Sequence, residues 1–305
     1  MLKLNRINKV NIICATKLYP MIDPHVNNPK SPKFHVKKYL HEIREDLKEK
    51  IVLDIPAGNG VTSEILLELG SKVEAYDLFP ENFLVKEIGC KKADITKGLP
   101  IADHYADFVI CQEGIEHFSD QVKAFMEFNR VLKKGGKMII TTPSYSNLKS
   151  RLSYLLFETE YFHKLMPPNE IDSVWLVKDE NKNDIYYGHI FLIGMQKMRV
   201  IAKLTGFKLS KVNFMRVNKT SLFLFPLYYP FILFTSWFTY WKLLKKCDPK
   251  ERPAREKVYK EQLKININTR VLLDTHSFVV FEKENDPDEI YNDIHALSNP
   301  PNQYL

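Results

Sequence analysis

Residues 51–60 read Ile-Val-Leu-Asp-Ile-Pro-Ala-Gly-Asn-Gly, a continuous apolar run that ends on an acid and opens into small residues. Such a run, bounded by a turn, is the pattern of a strand buried on both faces. Val61, Ile65 and Leu69 then recur every four residues and predict a helix packed back on that strand. A second strand, residues 71–77, ends in Asp77, seventeen residues beyond Gly60. Upstream, Phe34, Val36, Leu40, Ile43 and Leu47 predict a helix over 33–50 that leads into the first strand.

The same alternation continues downstream. Residues 80–89 are expected to form a short helix and 90–93 a short third strand, followed by Asp94 and Ile95. Residues 106–111 read as the fourth strand and open into Gln112-Glu113-Gly114-Ile115-Glu116-His117. Ser119 is placed to cap the next helix, with Val122, Phe125, Met126 and Leu132 facing inward. Gly135-Gly136 then turns into a fifth strand, 137–143. Strands alternating with helices in this way predict an α/β fold built on a parallel, doubly wound sheet. An amphipathic helix follows over 147–157. Next comes a long connection, 158–188, carrying Tyr161, Phe162, Trp175 and Tyr186, of the kind that shapes substrate pockets or packs as a surface loop. Periodicity returns at 195–204, stops at Gly206, and runs into a sixth strand, 207–214; the last strand is 276–282.

About sixty residues separate those two strands. Thr220 to Trp241 contains no charge, is rich in Phe, Tyr and Trp, and is bounded by Lys219 and by Lys242, Lys245 and Lys246. Its length suffices to span a bilayer. One crossing would leave the sixth and seventh strands on opposite sides of the membrane, so the segment must return. Pro226 and Pro230 are expected to interrupt its helix in the first third. The pattern fits a monotopic membrane anchor, or an apolar flap buried on the enzyme or in a dimer interface. Residues 250–264 add a basic stretch, expected to be helical after Pro253.

At 305 residues and 45% hydrophobic content, the chain suits one domain with additions. Its net charge of +7 favours anionic surroundings, nucleic acid or lipid headgroups, without choosing between them. Cys14, Cys90, Cys111 and Cys247 lie far apart with no metal-type spacing, which suits free thiols in a reducing compartment. The apolar run 10–15 is too brief for a secretory signal. The expected location is cytoplasmic, peripheral at the cytoplasmic face of a membrane if the anchor reading holds.

The glycine turn alone is weak evidence, since Gly58 and Gly60 also fit a tight surface loop. Joined to the acid-ended second strand, it resembles the S-adenosylmethionine (SAM) binding core of the class I methyltransferases, over residues 36–216 and 272–284. Pro56 stands where that family's motif has its first glycine. The resemblance implies a Rossmann-like seven-stranded methyltransferase sheet with helices on both faces, plus the hydrophobic insertion between the sixth and seventh strands. It divides the chain into an extension (1–32), a methyltransferase domain (33–216), the insertion (217–264), the last strand (265–284) and a polar tail (285–305). It also implies SAM held by Asp54, Ala57, Gly58, Asn59, Gly60, Asp77, Leu78, Asp94, Ile95 and Gln112. Asp77 would take the ribose, and Asp94 the adenine amino group unless it is an ordinary loop acid.

Glu113, Glu116 and His117 stand at i, i+3 and i+4, so a single helical turn would put all three on one face above the strand ends. This Glu-x-x-Glu-His pattern resembles that of ubiquinone-pathway O-methyltransferases and of small-RNA 2′-O-methyltransferases, where it can hold a divalent metal such as Mg. His189 is the candidate fourth ligand. A metal or His117 as base would activate a hydroxyl acceptor; the same residues also fit a plain pocket wall. The leading expectation is a SAM-dependent O-methyltransferase acting on a lipid, quinone precursor or lipid-linked glycan at a membrane surface. An RNA 2′-O-methyltransferase is the alternative, disfavoured because no basic-aromatic platform for nucleic acid is visible. A non-catalytic SAM-fold scaffold is the third, against which the intact Gly58, Gly60 and Asp77 argue. The oligomeric state is not legible.

Overall fold

The computed structural model describes residues 23–159, 169, 174–176 and 185–290. Most of the N-terminal extension, Cys14, Tyr161, Phe162 and the end of the C-terminal tail lie outside them. In chain order the elements are α1 (Pro32–Glu42), α2 (Arg44–Leu47), β1 (Ile51–Asp54), α3 (Val61–Glu68), β2 (Lys72–Asp77), β3 (Cys90–Lys92), β4 (Ala106–Gln112), α4 (Gln121–Val131), β5 (Leu132–Pro143) and α5 (Leu148–Phe157). They continue with β6 (Val174–Leu176), β7 (Ile185–Tyr187), α6 (Met195–Leu204), β8 (Phe207–Asn213), α7 (Lys219–Lys246), α8 (Arg252–Asn266), α9 (Thr269–Leu273) and β9 (His276–Lys283).

Seven strands form one sheet in the order β3-β2-β1-β4-β5-β9-β8, with β6 and β7 as a separate antiparallel pair. β1 to β5 pair in parallel; β9 runs antiparallel to both β5 and β8. Side-chain alternation along each strand divides the core into two layers. Leu53, Val109, Ile140 and Phe281 pack on one face with Phe125 and Phe128 of α4 and Met198 of α6. Their neighbours Val52, Ile110, Ile139 and Val280 pack on the other with Val36 and Leu40 of α1 and Ile65 of α3. The strand order reverses between β1 and β4, where a crevice opens at the carboxyl ends of the strands.

Several local expectations are corrected. The helix before β1 breaks at Ile43, whose φ of −103° leaves the helical region. Residues 80–89 form only a 3-10 turn, Pro80–Asn82. Beyond it the amide of Leu84 donates to Asn59 O (3.2 Å), laying Phe83 and Val85 across Gly60 instead of continuing a helix. Asp120, not Ser119, caps α4, accepting from Lys123 N at 2.9 Å. The inward face of α4 is Ala124, Phe125, Phe128 and Val131, so Val122 and Met126 point to solvent. β5 begins five residues early because Leu132 already pairs with Ala106.

The largest difference is α7, which runs unbroken for 28 residues through Pro226 and Pro230. Both prolines are exposed, so the carbonyls deprived of their helix donors face solvent, and the break expected from the sequence does not occur. The chain does return: α8 packs back on α7, and α9 leads into β9.

Candidate functional site

The turn after β1 forms because glycine fills its two left-handed positions, Gly58 at φ +53° and Gly60 at φ +89°. A Cβ on Gly60 would come within 2.6 Å of Val85 Cγ2 and 2.7 Å of Phe83 Cε2. The turn is tied to the end of β2: Asp77 Oδ2 accepts from Gly58 N and Oδ1 from Phe79 N, each at 2.8 Å. Beside it lies a cavity of about 580 Å³, within the roughly 300–1,000 Å³ typical of small-ligand sites.

Ala57, Gly58, Asn59, Asp77, Leu78, Asp94, Ile95 and Gln112, eight of the ten residues expected to hold SAM, line this cavity. Two expected members do not. Gly60 lies behind the turn against Phe83 and Val85. Asp54 is buried beneath it, with Oδ2 accepting from Ser63 Oγ at 2.7 Å and Oδ1 without a hydrogen-bond partner among the described residues. Burial raises the Asp54 carboxyl to about 7, and the charge of Asp77 adds to that. Asp54 therefore supports the turn. Asp94 caps the following turn through Thr96 N (3.0 Å), and Gln112 accepts from the Thr62 hydroxyl at 2.8 Å.

The cavity extends to Glu113, His117 and Phe118 beyond β4. The single helical turn expected there is absent. Glu113 takes φ +49°, which reverses the chain, and only Ile115–His117 form a 3-10 turn. Glu113 accordingly stays out of the group formed by Glu116, His117 and His189: its Oε2 lies 3.6 Å from His276 Nε2 on β9. Glu116 is fully buried, accepting from Thr142 Oγ1 of β5 at 2.9 Å, and its Oε1 has no hydrogen-bond partner among the described residues. Burial lifts both glutamates, Glu113 to about 7 and Glu116 well above its usual range, where the nearby Glu113 charge contributes.

Glu116, His117 and His189 bring potential ligand atoms within 4.8 Å of one another. Three of the four expected metal residues thus converge; Glu113 is the one that does not. His117 Nδ1 is 3.1 Å from Gly188 O, so a neutral imidazole carries its proton there and its basic lone pair on Nε2. A buried carboxylate oxygen without a donor, next to two imidazoles, fits a divalent ion. Lys33, Thr62, Thr142 and His276 join the site without having been singled out in the sequence. Thr142 and His276 carried a signal only through pairing, since Pro143 and His276 are partners across β5 and β9.

Residues 53–140 match a family described as a methyltransferase domain. The chain is 29% identical over 138 residues to a ubiquinone biosynthesis O-methyltransferase of Nitrosomonas europaea, covering 42% of this chain and 58% of that protein. It is 30% identical over 129 residues to a demethylmenaquinone methyltransferase of Chlorobaculum parvum, covering 40% and 52%. The matched stretch thus spans little more than half the length of these relatives. A solved SAM dependent methyltransferase from Archaeoglobus fulgidus is similar with a TM-score of 0.48 and 14% identity, over 85% of this chain and 97% of that one. The family match falls on the strands that carry the cavity, in a sheet in which β9 alone runs antiparallel to its neighbours, and these similarities support a class I SAM-dependent methyltransferase.

Proposed function

We propose that the protein moves the methyl group of SAM onto a hydroxyl oxygen of an acceptor that is a lipid, a quinone precursor or a lipid-linked glycan. The observation that carries this reading is the position of His117, which borders the SAM-sized cavity on one side and belongs to the Glu116–His189 group on the other. Asp77 accepts from the ribose hydroxyls in exchange for its bonds to the Gly58 and Phe79 amides. The backbone of 57–59 faces the methionine end, and Leu78, Asp94 and Ile95 border the adenine. SAM supplies an electrophilic methyl whose bonding pair stays with the departing sulfur. The acceptor oxygen donates the new pair, and its proton passes to His117 Nε2.

A divalent ion held by Glu116, His117 and His189 would acidify the acceptor hydroxyl instead. Two imidazoles and one carboxylate suit a first-row transition ion better than the Mg expected from the sequence, because Mg prefers an all-oxygen shell. The test is to incubate the protein with methyl-labelled SAM and separated lipid, glycan and RNA extracts. Label in an alkali-stable ether of the lipid or lipid-linked fraction supports the reading. Label confined to RNA, or absent from every fraction, rejects it.

A further inference from the structure

Helix α7 carries one continuous apolar stripe on its outer side. Phe223, Leu227, Phe231, Phe234, Phe238 and Trp241 are each 58–81% exposed. At 100° per residue their spacing confines them to an arc of about 80°. The opposite side is fastened to the domain. The Ser221 hydroxyl donates to Asn147 Oδ1 (3.3 Å), Asn266 Nδ2 to Ser236 Oγ (2.7 Å), and Tyr240 and Leu244 are buried against Leu263 of α8. The orientation of the stripe is therefore set by contacts on the far side of the helix. Tyr154, Leu155 and Leu156, at the end of the neighbouring α5, are also more than half exposed.

Charge decides what covers this surface. Residues 217–264 hold ten Lys and Arg against four Asp and Glu, a net +6 of the whole chain's +7. A second copy seated on the stripe would set +6 against +6, whereas phospholipid headgroups supply the opposite sign. Crossing is ruled out by connectivity, because β8 before the segment and β9 after it are hydrogen-bonded neighbours in one sheet. The charged α8 also lies along the second half of α7. Pro226 and Pro230 leave the carbonyls of Leu222 and Pro226 without helix donors; water at headgroup depth satisfies these, and hydrocarbon would not.

We propose that α7 lies in the plane of an anionic phospholipid bilayer, its aromatic stripe in the headgroup-acyl boundary and its flanking lysines on the phosphates. The surface is joined to the site. Asn147 caps α5 through Ser150 N, accepts from Ser221 of α7, and donates to Ser144 O and Asp274 O. It follows Thr142, the partner of Glu116, by five residues. The consequence that the acceptor reaches the site from the bilayer rests on the methyl-transfer reading above; the docking does not.

Purified full-length protein, sedimented with vesicles of phosphatidylcholine alone or mixed with phosphatidylglycerol, is expected to bind the mixed vesicles at least about tenfold more tightly, and less tightly as salt rises. Phe231→Asp combined with Phe238→Asp should weaken this binding by at least about tenfold with SAM affinity in calorimetry unchanged. Should that pair fail to fold, Phe231→Ser with Phe238→Ser serves, with a smaller loss expected. Wild-type protein left in the supernatant of both vesicles, or variants that bind like wild type, overturns the proposal. So does a protein dimer that the Asp pair dissociates without any vesicle binding. Protection of residues 247–251 from external protease in sealed vesicles would overturn the in-plane arrangement. Loss of SAM binding in the wild type would strike the methyl-transfer reading alone.

Discussion

Glu113 Oε2 lies 3.6 Å from His276 Nε2, on a strand 163 residues further along the chain, while its sequence neighbour Glu116 is bound to Thr142. The positive φ at Glu113 is the cause, since it turns one glutamate toward β9 and leaves the other beneath His117. The two glutamates therefore make separable predictions.

If a metal acts, Glu116→Ala and His189→Ala should each lower turnover as far as His117→Ala, and chelation should abolish activity that added divalent ion restores. Glu113→Ala should then behave differently from these three. Steady-state kinetics with and without chelator decides the matter, and equal damage from Glu113→Ala would restore it to the ligand set.

If His117 acts as a base without metal, His117→Ala should cut turnover by roughly 10²–10⁴ while SAM affinity holds. Glu116→Ala would then matter less, and chelator not at all. Turnover indifferent to both His117→Ala and chelator would leave proximity to SAM as the only catalytic device.

Asp77→Ala should weaken SAM in calorimetry by about 1–3 kcal/mol, the range for hydrogen bonds to a charged group. The same variant frees the Gly58 and Phe79 amides, so part of the loss should appear as a lower thermal midpoint of the apo protein. Unchanged affinity would remove Asp77 from the site.

Gly60→Ala should destabilise the apo protein by about 1–3 kcal/mol, because an alanine at φ +89° is strained and its methyl meets Val85 and Phe83. Gly135→Ala, at φ +77° with nothing within 4 Å of the added methyl, carries only the backbone part and should cost less. Denaturant unfolding of both variants compares them directly.

Asp54 makes a pH prediction of definite sign. Its carboxyl holds a proton up to about 7 when folded but only to its ordinary 3.8 when unfolded. The native state thus binds more protons across that window, so this contribution to stability falls as pH rises from about 4 to about 7 and then levels. The difference corresponds to roughly 4 kcal/mol. Asp54→Asn should flatten the fall of thermal midpoint between about pH 4 and pH 7. An unchanged slope would assign it to Glu113, Glu116 or Asp274, which burial shifts the same way.

The sequence by itself determined the strands of the sheet and most of the residues that line the cavity beside β1. Buried parallel strands read as uninterrupted apolar runs, as in 51–53 and 108–111, and the turn at Gly58 and Gly60 is encoded locally because a backbone at positive φ favours glycine. An acid at a strand end is likewise a local signal, so Asp77 was legible. What only the tertiary structure decided depends on contacts between distant segments. Helical spacing set Glu113, Glu116 and His117 on one face, but one left-handed residue, which no spacing rule reveals in a glutamate, sent Glu113 to β9. Asp54 looked like a ligand residue and is a support, because the next turn covers it. Residues 80–89 were expected to form a short helix, yet after the turn at Pro80–Asn82 the packing of Phe83 and Val85 on Gly60 keeps the chain out of one. The prolines of α7 signalled a break, and the helix continued because both sit on a side where solvent takes over the missing bonds. Local rules fix what a residue prefers; the site was set by which distant residue lay opposite.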